Sequence, residues 1–80
     1  MNYQLKISYI NLLSQIASDN INSINGSTAF TESILKAVAL LCKPIVDIGL
    51  VVLQLGECAK NTDFQDDKIT IGAMISKLGY

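Results

Sequence analysis

Apolar residues recur along this chain with the period of a helix, and they are densest between Ala29 and Ala59. Set on a helical wheel, Glu32, Lys36, Lys43, Asp47, Gln54 and Glu57 fall within an arc of about 80°. Glu32, Lys43 and Gln54 repeat every eleven residues, a spacing that stays in phase along a nearly straight helix. The remaining circumference is aliphatic. The pattern predicts one long, mostly apolar helix over residues 29–59, with Glu32–Lys36 and Lys43–Asp47 as i,i+4 ion pairs. Pro44 lacks a backbone N–H and its ring opposes the carbonyl of Leu40, so the helix is expected to kink or break there. Residues 48–55, rich in valine and isoleucine, also read as a buried strand; the in-phase charges favour the helix. Cys42, Gly49 and Gly56 form a loose stripe of small side chains on which another backbone could pack closely.

Two flanking segments complete an all-α reading. In residues 3–24, Tyr3, Ile7, Ile10, Leu13, Ala17, Ile21 and Ile24 follow helical spacing, with Ile16 beside them. Asn25-Gly26-Ser27-Thr28 punctuates the chain: Asn-Gly favours positive φ and ends a helix, and Ser27 or Thr28 can cap the next. So short a link implies an antiparallel hairpin. Over residues 63–78, Phe64, Ile71, Ile75 and Leu78 share a face with Met74 beside it. Thr62 and Gln65 fit a capping box, Asp63, Asp66 and Asp67 suit a helix start, and Lys77 and Gly79 suit its end. The expected fold is a single all-α domain of three helices, a helical hairpin whose long central helix is kinked at Pro44.

Composition sharpens this picture by exclusion. Half of the 80 residues are hydrophobic, yet a chain this short covers only part of its apolar surface on folding. The cover missing from the central helix is expected from other copies, a different partner or a membrane. A net charge of −1, six dispersed lysines and no arginine argue against nucleic acid. Without histidine there is no ready acid–base group near neutral pH and no common metal ligand. The acidic run Phe64-Gln65-Asp66-Asp67 lacks the pattern of a calcium loop. No phosphate-binding loop, nucleophile elbow or paired-cysteine motif is present. No enzymatic activity, cofactor or metal is therefore expected. Cys42 and Cys58, on one straight helix, would stand ~24 Å apart, too far for a disulfide, and read as free thiols of a reducing compartment. The N-terminal stretch lacks the features of a signal peptide, and Lys43 and Asp47 interrupt the apolar run before it reaches the ~18–20 residues that cross a bilayer. The cytoplasm is the expected location.

These readings converge on a non-enzymatic structural or interaction protein that self-associates through its apolar central helix into an oligomer or filament. The residues expected to carry the contact are Leu35, Val38, Leu41, Ile45, Ile48, Gly49, Val51, Val52, Leu53 and Gly56. Val51 and Leu53 should lie on different sides of the helix and both be covered, at least one by another chain. Two other roles fit the pattern: a small helical binder of another protein, of the chaperone, inhibitor or immunity type, and a membrane-active pore or lysis protein.

Overall fold

The computed structural model describes residues 1–79. Among them the chain is all-α, with helices α1 (Tyr3–Ile21), α2 (Thr28–Leu41), α3 (Ile48–Lys60) and α4 (Gln65–Lys77) and no strand. The single helix expected over residues 29–59 is thus two helices, α2 and α3, separated by a loop. Pro44 breaks the helix instead of kinking it. A helix running through position 44 would lose a hydrogen bond to the Leu40 carbonyl and push Lys43 out of helical geometry. Asp47 offers a better alternative nearby: its Oδ1 accepts from the Leu50 N–H at 3.2 Å and starts α3 afresh. The Lys43 carbonyl, freed by the break, accepts from Lys6 Nζ of α1 at 2.9 Å.

The break explains how so short a chain covers itself. Two antiparallel halves of one apolar segment bury each other, where one long helix would have needed cover from outside. The six-residue connection between Leu41 and Ile48, together with the bond from Gln54 Nε2 to the Ser33 carbonyl at 3.1 Å, sets α3 antiparallel to α2. Leu13, Phe30, Ile34, Leu41, Val51, Leu55, Cys58 and Ile71 are completely buried. The in-phase charges lose their shared helix, and neither expected i,i+4 pair forms; the one ion pair among the described residues is Lys60–Glu57, at 3.3 Å and exposed.

Helix α1 begins at Asn2, whose Oδ1 accepts from Leu5 N–H at 2.9 Å. Its buried face is Tyr9, Leu13, Ile16, Ala17 and Asn20, rotated from the expected one; Tyr3, Ile21 and Ile24 face solvent. Two polar residues enter the buried face because each finds partners there. Tyr9 donates its hydroxyl to the Met74 carbonyl of α4 at 2.6 Å. Asn20 Nδ2 donates to the Ser27 carbonyl and to Thr31 Oγ1, both at 2.7 Å, and its Oδ1 accepts from Ser27 N–H at 3.0 Å. The hairpin between α1 and α2 is built on this asparagine. Ser27 then caps α2, accepting from Phe30 N–H at 3.2 Å. Gly26 is not in the left-handed region, nor is Asn25; the only positive φ among the described residues is +92° at Gly79, just beyond the α4 end as its position suggested.

Helix α4 starts two residues later than expected, and the Thr62–Gln65 capping box does not form. Phe64 occupies the cap position without a side-chain hydrogen bond, while Thr62 Oγ1, buried, accepts from Phe64 N–H at 3.1 Å and shapes the turn. Asp66 and Asp67 lie in the first turn and Lys77 in the last, where the helix dipole favours each sign. The Tyr9–Met74 bond and the proximity of Asp19 to Asp67 run α4 antiparallel to α1, so the four helices alternate up and down. No helix among the described residues is long and apolar enough to cross a membrane.

Candidate interaction surface

The ten residues expected to carry an interface are divided by the fold. Leu41 and Val51 are completely buried in the chain's own core and present nothing to a partner. Val38, Ile48, Gly49, Val52 and Gly56 are half-buried. Leu35, Ile45 and Leu53 are open to solvent, at 56%, 88% and 69% exposure. Val51 and Leu53 do lie on different sides of α3, but only Val51 is covered by the chain itself. Leu50, 46% exposed, joins the exposed set and was missed because periodicity alone placed it in the continuous apolar arc.

The outer face of α3 has a definite shape. At 100° per residue, Leu53 projects within about 60° of both Gly49 and Gly56, so one bulky side chain stands between two bare stretches of backbone. A Cβ added at Gly56 would meet nothing, and one at Gly49 would touch only Asp47 Oδ1, at 3.4 Å. Nothing in the chain requires glycine at Gly56, although each helical glycine costs about 1 kcal/mol against alanine. Cys42, the third member of the expected stripe, caps the end of α2 in the loop region and is exposed.

A second surface opens along the α1–α4 seam. Ser8, Tyr9, Leu12, Ile69, Thr70, Ala73, Met74 and Lys77 line a groove of about 360 Å³. A polar hollow of about 240 Å³ lies over the α1–α2 turn, walled by Asn20, Gly26, Ser27 and Thr31 among others; the Asn20 amide there is already engaged by its own chain.

Among the ionisable groups, burial perturbs Cys58 and Asp67. Burial pushes the Cys58 thiol up, against a smaller lowering effect of the nearby Ser33 hydroxyl, and the net rise disfavours the reactive thiolate. Burial also raises the Asp67 carboxyl, with Asp19 and Asp66 adding repulsion. A raised folded pKa means that the fold favours the neutral acid. The stabilising contribution is complete below the unfolded value of ~3.9 and is lost as pH rises through the folded one. Asp67→Asn should therefore raise the melting temperature at pH 7 and give a smaller gain at pH 3. Equal gains at the two pH values would show that the carboxyl is not perturbed.

No family model, curated protein or solved structure matches this chain.

Proposed function

We propose that this chain is a non-enzymatic structural protein that self-associates through the outer face of α3. The observation that carries the reading is Leu53, 69% exposed between two helical glycines. Such a face admits a second helix at close range, with Leu53 as the anchor. Ile45 and Leu50 extend the apolar area on the same segment. A second copy fits as the occupant because the face is nearly self-complementary. Antiparallel pairing about Leu53 sets Gly49 against the partner's Gly56, within one residue of a common register. A net charge of −1 opposes association only weakly. The absence of histidine and a buried, protonated Cys58 thiol support a role without covalent or acid–base chemistry.

The test uses variants that spare the monomer. Gly56→Leu adds bulk at a position where an added Cβ meets nothing and improves helix propensity, so it should hold or raise the melting temperature at high dilution. The same substitution should remove the α3 contact and lower the mass of the assembly measured by sedimentation equilibrium, and Leu53→Asp should do so as well. Wild-type protein that stays monomeric at every concentration up to the millimolar range would overturn self-association and leave the binding of a different protein. Association unchanged in both variants would overturn the α3 face.

A further inference from the structure

We infer that the α1–α4 groove is a second self-association face, which receives α4 of another copy in antiparallel orientation. This goes beyond the α3 reading and stands on different residues. The groove is apolar along its floor and walls, through Leu12, Ile69, Ala73 and Met74, and Ile69 is 62% exposed. Small side chains at Thr70 and Ala73 let another helix approach.

Charge selects the occupant. Asp66 and Lys77 are eleven positions apart on α4, three turns, and so project within about 20° of each other. Thr70 and Ala73 lie between them on the same side. The stripe Asp66, Thr70, Ala73, Lys77 is symmetric under reversal: 66 and 77 sum to 143, as do 70 and 73. An antiparallel copy therefore sets Asp66 against the partner's Lys77 twice per pair, with Thr70 over the partner's Ala73 and the two helix dipoles opposed. Neither residue has an ion-pair partner in its own chain among the described residues. Asp19, Asp66 and Asp67 gather at one end of the α1–α4 seam, outside the groove's own lining, and Lys77 lines the groove toward the other, so the seam is negative at one end and positive at the other.

Two different two-fold faces on one protomer propagate beyond a dimer unless the symmetry closes. With α3 and α4 both engaged, the particle grows with concentration as a filament or a larger closed assembly.

The experiment separates the faces by working in the Leu53→Asp background, where only the α4 contact remains, with Gly56→Leu as a second background should Leu53→Asp lower helicity. Sedimentation equilibrium should show a monomer–dimer equilibrium. Asp66→Lys or Lys77→Glu alone should weaken it about tenfold, from two lost pairs and two new repulsions. The double variant Asp66→Lys/Lys77→Glu should restore it. If these charges serve only their own helix dipole, the double variant should melt lowest and recover no association. A monomer in both backgrounds, or no rescue by the double variant, overturns the inference and leaves the α3 reading standing; association indifferent to Leu53→Asp and Gly56→Leu overturns α3 and leaves this face.

Discussion

Gly26→Ala should lower the melting temperature by roughly 12–24 °C, about 3 kcal/mol for a domain of this size. A Cβ at position 26 would stand 1.9 Å from the Asn20 carbonyl oxygen, 3.0 Å from the carbonyl carbon and 3.1 Å from the side-chain oxygen. The obstacle is mostly backbone and cannot swing aside as a long side chain would. Asn20 is held in turn by three hydrogen bonds, to Ser27 twice and to Thr31 once. Relief of the clash must either tear these bonds or move the first turn of α2, whose cap is Ser27. Leaving buried polar groups of this kind unpaired costs about 1–3 kcal/mol each. Two controls isolate the cause. Gly72→Ala, where an added Cβ meets nothing, should stabilise by up to about 1 kcal/mol. Asn25→Ala should be nearly neutral, because Asn25 does not adopt a positive φ. Circular dichroism melts of the three variants at one low concentration check the set. A Gly26→Ala protein melting within a few degrees of wild type would mean that α1 and α2 do not approach as closely as the turn geometry requires.

That turn shows what the sequence could and could not reveal. Asn25-Gly26 marked the boundary correctly, since a glycine flanked by short polar residues interrupts any helical pattern. The assigned reason, a left-handed φ, was the commoner one; the operative reason is a contact six residues back along the chain, which local propensity does not encode. Tyr9 and Asn20 were invisible for the same cause. Counting aliphatic residues cannot find a buried polar side chain, because its burial depends on partners supplied by α4 and α2. The α4 end was legible because Gly79 acts locally.

The break at Pro44 teaches the converse. The eleven-residue charge repeat was real in the sequence, but it measured phase along a helix that proline forbids. Asp47, three residues beyond Pro44, was the signal that outweighed it, an aspartate positioned to cap a new helix. Reading that signal would have divided the apolar stretch, formed the α2–α3 hairpin and removed most of the need for cover from other chains. Candidate interface residues then sort by which half of α3 the fold turns outward. The wheel gives their angular spacing; only the position of α2, through Gln54 and Ser33, says that Val51 points in and Leu53 points out.

Val51→Asp should unfold the isolated chain, whereas Leu53→Asp, two residues away, should leave it folded. Val51 has no solvent exposure and belongs to the core with Leu41, Leu55 and Ile71. A carboxylate there loses its hydration in a core cluster that contains no lysine. An uncompensated buried charge costs about 3–5 kcal/mol, and the lost burial of valine adds about 1.5–3 kcal/mol. A domain of this length has roughly 4–12 kcal/mol in all, so the substitution consumes most or all of it. Protonating the aspartate relieves part of the cost, and Val51→Asp should regain helicity between pH 7 and pH 3 more than wild type does. At position 53 the same carboxylate stays in water, and the chain should keep its helicity while losing its association through α3. Helicity by circular dichroism at micromolar concentration, at both pH values, reads the contrast directly. Equal tolerance at the two positions would mean that α3 is rotated from the orientation described, and equal collapse would mean that Leu53 too is covered whenever the chain is folded, with folding and assembly a single event.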